Sequence, residues 1–195
     1  MREHEINSKH DFIQGYYIDN DKTIDDLIDF YNTSTDKKIG MIGSGIVDKQ
    51  KKDSTDLAIN PLEINFYSSL NNYFKSLTNC LEVYKTKYPH CHNRTDAWGI
   101  TDKFNIQKYK PSQGYHQWHF ERAGKFTLDR HLVFMTYLND VKKGGETEFL
   151  YQKVKIKPEK GLTLIWTADW TFTHKGHTTV DEDKYIITGW YNFHK

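Results

Sequence analysis

Cysteine is nearly absent: Cys80 and Cys91 are the only two in 195 residues. That is too few for a disulfide framework and fits a reducing, cytoplasmic setting. Proline is scarce as well, with four in the chain, and no Pro/Gly linker, repeat or low-complexity tract divides it. An excess of charge of one sign is also missing. Lys and Arg total 27 against 26 Asp and Glu, leaving +1 with neutral histidines, so nothing advertises a nucleic-acid partner. Long apolar runs are missing too. Stretches such as Leu132 to Met135 and Leu162 to Trp166 are strand-sized, far below the ~20 residues of a membrane helix. Met1 to Phe12 is polar and lacks the apolar centre of a signal peptide. The length suits one domain with its own core. Aromatics are plentiful at 15%, with 13 tyrosines, which suits a β-rich pocket.

Hydrophobic periodicity places helices first. Thr23 is the expected N-cap of a helix with acids in its first turn, burying Ile24, Leu27, Ile28 and Tyr31 and ending at Asn32 to Asp36. Residues 40–56, with Gly40, Gly43, Gly45 and the charged run Asp48 to Asp53, read as a strand edge and a mobile loop. Gly43-Ser44-Gly45 is no phosphate loop, because no Gly-Lys-Ser/Thr follows it. Asn60-Pro61 reads as the start of a long helix with the stripe Phe66, Leu70, Tyr73, Leu77, Leu81, Tyr84 and Tyr88, stopped by Pro89. From residue 100 the period becomes two. Asn105, Gln107 and Tyr109 share one face and Phe104 and Ile106 the other. Val133, Met135 and Tyr137 alternate with Leu132, Phe134, Thr136 and Leu138, so both faces of that strand should be buried. Val154 and Ile156, Leu162 to Trp166, and a last strand with Lys184, Ile186, Thr188 and Trp190 on one face follow. Helices followed by strands indicate an α+β fold. Residues 1–99 are expected as mainly helical support and 100–195 as the β core of a single domain.

The chemistry concentrates in His119-Phe120-Glu121 and in His174, 53 residues beyond Glu121. On an extended strand, residues i and i+2 face the same side, so His119 and Glu121 can meet one metal. A distant histidine would complete a 2-His-1-carboxylate set, which leaves three positions of an octahedral Fe(II) open. His116 stands five residues before Glu121, an odd offset that points it the other way; His177 is a rival to His174. Lys184 lies in an otherwise apolar strand, where a buried cation needs an anion, although pairing with Asp181 or Glu182 at the surface is an alternative. His90-Cys91-His92 with Cys80 offers only scattered ligands for zinc. Trp118, Arg122, Trp170 and Trp190 flank the metal motifs in sequence and are candidates for substrate contact, Trp190 also for a pocket wall.

Taken in order, Asn105-Ile106-Gln107-Lys108-Tyr109, Pro111 to Tyr115, His119-Phe120-Glu121, Val133 to Asn139, Gly144-Gly145-Glu146-Thr147-Glu148-Phe149, His174 and Lys184 to Trp190 resemble the 2-oxoglutarate- and Fe(II)-dependent oxygenases, in particular their prolyl-4-hydroxylase-like branch. The likeness runs from Phe104 to Phe193. One position departs from the family's usual pattern: Glu121 stands where Asp is customary. The resemblance implies a double-stranded β-helix, or jelly roll, with the N-terminal helices packed on one sheet. It implies Fe(II) held by His119, Glu121 and His174, and the distal carboxylate of 2-oxoglutarate held by Lys184, Tyr137 and Thr188, with Tyr109 in the pocket wall. O2 is the second co-substrate, and ascorbate fits as an accessory. The implied reaction is hydroxylation of an unactivated C–H, with peptidyl proline the leading substrate. A free amino acid or other small molecule is the enzymatic alternative, and a jelly-roll binding module with a degenerate triad the non-enzymatic one.

Overall fold

The computed structural model describes residues 1–6, 11–43, 45–93 and 96–194; Ser44 of the glycine-rich segment lies outside them. In chain order the strands of the larger sheet are β1 (Arg2–His4), β2 (Gln14–Tyr17), β3 (Lys38–Ile39), β4 (Thr55–Ile59), β5 (Trp98–Gly99), β6 (Phe104–Tyr109), β8 (Arg130–Tyr137), β11 (Leu162–Thr167) and β13 (Lys184–Phe193). The smaller sheet comprises β7 (Tyr115–His119), β9 (Thr147–Phe149), β10 (Val154–Ile156) and β12 (His174–Gly176). The larger sheet runs β1-β2-β11-β8-β13-β6-β4-β3, with β5 on β13, and the smaller runs β10-β9-β12-β7. Among the described residues there are two α-helices, α1 (Asp21–Thr33) and α2 (Ser68–Lys87), and four short 3-10 turns. The first 99 residues therefore give more than helical support: five strands come from them, and β4 pairs along β6.

Strand alternation divides the interior into two cores. Leu132, Phe134, Phe104, Ile106 and Ile187 share an apolar cluster with Leu27, Leu70, Tyr73 and Leu77 of the helices. The opposite residues Val133, Met135, Tyr137 and Ile186 cluster with Phe149 and Ile156 of the smaller sheet. A strand buried on both faces must satisfy its polar groups internally. Thr136, on the helix side, does so with the Tyr73 hydroxyl at 2.8 Å and the Thr163 hydroxyl at 2.7 Å. Gly189 is required by close packing: a Cβ there would stand 2.6 Å from the Phe134 ring.

Two helix starts differ from the sequence expectation. Asn20, not Thr23, caps α1: its side chain accepts from the Thr23 N–H at 3.1 Å, while Thr23 itself is buried within the first turn. Asn is as strong a cap as Thr, and starting there admits Asp21 to the positive end of the helix. Asn60-Pro61 opens a 3-10 turn over Pro61–Phe66, closed by a reciprocal Asn60–Glu63 box. Tyr67 is then extended (φ −120°, ψ 122°), and α2 begins only at Ser68. Leu70, Tyr73, Leu77, Leu81 and Tyr84 are buried as the stripe requires, whereas Phe66 is exposed.

The segment read as a mobile loop is fastened at its second half. The Asp53 N–H donates to the Gly114 carbonyl (2.9 Å), and the Lys51 carbonyl accepts from the His116 and Gln117 N–H groups at 2.8 and 3.1 Å. Lys52 and Ser54 are buried, and Lys52 pairs with Asp56 at 2.6 Å.

Candidate metal centre

β7 and β12 are antiparallel neighbours whose register shifts between His174 and Gly176, with His119 directly opposite His174. Their ring centroids are 4.3 Å apart. Each ring is oriented from behind: Nδ1 of His119 lies 3.0 Å from the Gln117 carbonyl, and Nδ1 of His174 lies 2.9 Å from the Phe172 carbonyl. A carbonyl can only accept, so both Nδ1 atoms carry the proton and both Nε2 lone pairs are free. Tyr115 stacks on His119 at 3.6 Å with its plane 8° off parallel, and Trp166 meets His174 edge-on at 5.2 Å.

Glu121 does not continue the strand, because β7 ends at His119 and Glu121 follows in a bend. Its carboxylate still meets the pair: Oε1 lies 3.6 Å from His119 Nε2 and 3.4 Å from His174 Nε2. Ligand atoms of these three side chains all lie within 4.8 Å of one another, the one such group among the described residues. Burial, reinforced by His174, pushes the His119 pKa well down and keeps its imidazole neutral. Burial alone would raise the Glu121 carboxyl, but His174, His119 and Arg130 carry it well below the usual carboxylate range. A neutral imidazole and an ionised carboxylate are the forms a metal needs, so these two have no proton to displace at neutral pH. Two nitrogens and one carboxylate oxygen match the donor set of a non-haem Fe(II) site.

The rivals are placed elsewhere. His177 Nε2 lies 2.6 Å from Glu148, and His116 is exposed. Cys80 and Cys91 join no ligand cluster among the described residues.

The centre lines a cavity of about 770 Å³ between the sheets. Lys184, opposite Tyr109 in the β13–β6 ladder, lies in the same wall and is only 3% exposed. Its Nζ donates to the Gly145 carbonyl at 2.9 Å and sits 4.8 Å from the Tyr109 ring centroid. Gly145 adopts φ +77°, the left-handed turn that presents this carbonyl. No carboxylate among the described residues pairs with Lys184: Asp183 serves Lys108 and Glu182 serves Lys142. Burial lowers its pKa to about 8. A desolvated ammonium in a cavity wall, with no carboxylate in direct contact, favours an anionic neighbour.

The remaining predicted residues divide between the cavity and its supports. Tyr109, Thr188 and Trp190 line the cavity. Tyr109 donates to the Gln107 side chain at 2.7 Å, and Thr188 to the Phe134 carbonyl at 3.0 Å. Tyr137 is not among the cavity residues; its hydroxyl donates to Oγ1 of Thr147, which is one of them, at 2.6 Å. Trp118 and Arg122 are not among the cavity residues. Trp118, next to His119, projects to the other face of β7 beneath Lys175, and Arg122 pairs with Asp169. Trp170 is exposed against Tyr151. Sequence reasoning missed Arg130, which reaches Glu121, and the Lys52–Asp56 pair, which joins Gln107 in the wall. Alternation along β8 would place Arg130 with Leu132 and Phe134 on the helix side, but the β8–β13 register shifts between Tyr191 and Asn192, opposite Arg130, and no spacing rule pairs Arg130 with Glu121.

Residues 104–192 match the model of the 2OG-Fe(II) oxygenase superfamily. Over 116 residues the chain is 28% identical to the probable prolyl 4-hydroxylase 9 of Arabidopsis thaliana, a match covering 46% of this chain and 40% of that protein. Prolyl 4-hydroxylase 13 of the same plant is 24% identical over 115 residues, covering 46% and 42%. The chain thus spans about two fifths of the length of the curated relatives it matches. In fold it is similar to the viral collagen prolyl hydroxylase of Paramecium bursaria Chlorella virus-1, solved with 2OG, at TM-score 0.69 and 18% identity over 96% of this chain and 99% of that one. A prolyl hydroxylase of Trichoplax adhaerens, solved with a hypoxia inducible factor peptide, gives TM-score 0.70 and 18% identity over 92% and 83%. The chain therefore shares the two-sheet fold of these solved structures.

Proposed function

We propose that the chain acts as one catalytic unit, an Fe(II)- and 2-oxoglutarate-dependent dioxygenase that hydroxylates a peptidyl proline. The observation that carries this reading is the pairing, in one cavity, of a complete His119–Glu121–His174 donor set with a buried ammonium that lacks an anion. The metal, when bound, activates O2 for a two-electron oxidation of the co-substrate to succinate and CO2, with the second oxygen atom inserted into the substrate C–H. His119 and His174 hold it through Nε2 and Glu121 through Oε1. Lys184 takes the far carboxylate of 2-oxoglutarate, with the Thr147 and Thr188 hydroxyls beside it and Tyr137 orienting Thr147. Tyr109 shields the ammonium from water, and Met135, Ile186 and Trp166 supply the apolar lining that keeps the interior dry.

A peptide substrate is supported by apolar surface on the cavity lining, where the exposed side chains of Ile39 and Met41 join Ile42 and Ala123. The relatives named above as prolyl 4-hydroxylases, and the neighbour crystallised with a peptide, lend the same support. The test is mass spectrometry of proline-containing peptides incubated with Fe(II) and 2-oxoglutarate. A gain of one oxygen on proline, absent with Glu121→Ala, is expected. Succinate release stimulated only by free amino acids or small metabolites would replace the peptide with the small-molecule reading. Failure to bind both Fe(II) and 2-oxoglutarate anaerobically would leave a binding module.

A further inference from the structure

Glu121 is one methylene longer than the aspartate usual at this position, and it lies past the last residue of β7, where no strand pairing holds it. Its position is set instead through Oε2. Trp190 Nε1 donates to that oxygen at 2.9 Å and Arg130 Nη1 at 3.3 Å. The same Nη1 donates to the Glu121 backbone carbonyl at 2.9 Å, gripping the residue at both ends. The Arg130 guanidinium lies over the Trp190 ring, 3.6 Å from its centroid, so the two donors brace one another. Both stand on the larger sheet, Arg130 at the start of β8 and Trp190 in the adjoining β13. The histidines stand on the smaller sheet. The carboxylate therefore bridges the two layers, with Oε2 tied to one and Oε1 left facing the imidazoles of the other at 3.6 and 3.4 Å.

Resting on the metal reading above, we propose that Arg130 and Trp190 are positioning residues that confine Glu121 to one-oxygen coordination and so let the longer carboxylate serve where a shorter one is usual. The consequence is in the count of open positions. A glutamate free to turn can chelate through both oxygens and occupy four of six positions together with the two histidines. Two would then remain for three incoming donor atoms, two from the keto acid and one from O2. With Oε2 engaged by two donors, chelation requires both hydrogen bonds to break, and three positions stay open.

Co(II), whose visible absorption reports coordination number, is the probe, added to the full chain without O2. Trp190→Phe keeps the ring beneath Arg130 but removes the N–H; Arg130→Met keeps length without donors. Either change is expected to weaken Co(II) binding by about 10- to 100-fold and to alter its spectrum. In the Glu121→Asp background the shorter side chain falls short of the clamp, and Trp190→Phe should then change neither affinity nor spectrum. Circular dichroism of the metal-free variants checks folding, and Trp190→Phe decides the matter if Arg130→Met does not fold. Wild-type affinity and spectrum in the Trp190→Phe chain would overturn the clamp while leaving the metal centre. An equal effect of Trp190→Phe in the aspartate background would overturn it too. No stoichiometric Co(II) binding by the wild type would remove the metal reading and the clamp together.

Discussion

His119, Glu121 and His174 each contribute one atom to a common point, so removing any one should leave two ligands and abolish stoichiometric Fe(II) binding. His177→Ala should retain it, because that ring is engaged with Glu148. Anaerobic titration checks both, and loss of binding with His177→Ala alone would move the distal ligand. Lys184→Ala leaves the metal ligands intact but removes the partner of a desolvated carboxylate, a loss of ~2–5 kcal/mol that should appear as a raised KM for 2-oxoglutarate. An unchanged KM would sink the assignment. Lys184 also sets a pH dependence. Burial holds its pKa at about 8 in the folded chain, below the ordinary lysine value of 10.5. The unfolded chain therefore binds more protons between these values, and stability of the ligand-free protein should rise with pH across that window. The full depression corresponds to roughly 3 kcal/mol of cost below pH 8. Lys184→Met should flatten this rise and abolish stabilisation by 2-oxoglutarate, both visible in thermal melts. For the wild type, 2-oxoglutarate binding should weaken as pH climbs past about 8, since the carboxylate needs the charged form.

α2 and β8 are joined by more than apolar contact. The buried Tyr73, Thr136 and Thr163 hydroxyls form a chain between helix and sheet. Tyr73→Phe keeps the ring packing and removes one link, and should cost about 1 kcal/mol, a fall in Tm of ~2–4 °C for a chain of this size. Leu77→Ala, which empties volume from the same helix face, should cost about 2–5 kcal/mol. If the two variants melted alike, the apolar packing assigned to Leu77 would be wrong. At the other face of β8, Val133, Met135 and Tyr137 back the cavity. One strand thus couples the helical layer to the site, and lesions at Tyr73 should lower stability more than they alter co-substrate affinity.

At the scale of the whole molecule, the His119–Glu121–His174 grouping and its supports come together only because two sheets face one another. The histidines come from the smaller sheet, while the cation, Arg130 and Trp190 come from the larger. The wild type should therefore convert 2-oxoglutarate to succinate in the presence of Fe(II), and partial unfolding that separates the layers should abolish metal binding and co-substrate binding together. Guanidinium titration followed by Co(II) absorption and 2-oxoglutarate binding checks this; loss of one well before the other would contradict a shared cavity. No helix among the described residues is long and apolar enough to cross a membrane.

What the sequence alone determined follows from local rules. Alternation in Leu132 to Leu138 separated the two cores, because side chains of a strand project to opposite faces with a period of two. The helical stripe from Leu70 to Tyr84 gave the buried face of α2 for the corresponding reason at period 3.6. The triad and Lys184 were legible because short spacing within His119-Phe120-Glu121, and resemblance over 104–193, tied them to known chemistry. Tertiary structure decided what depends on distances across the chain. Asn20 won the cap from Thr23, and Tyr67 split Phe66 from α2, since neighbouring signals of similar strength are settled by packing. The Tyr137 hydroxyl meets Thr147 of the smaller sheet, because hydroxyl placement depends on which sheet stands opposite. Five strands from the first 99 residues completed the larger sheet, since pairing energy is realised only when a partner edge is present. Arg130 met Glu121 for the same reason: their contact joins a strand start to a bend through folding of two layers, and no periodicity along one element carries that information.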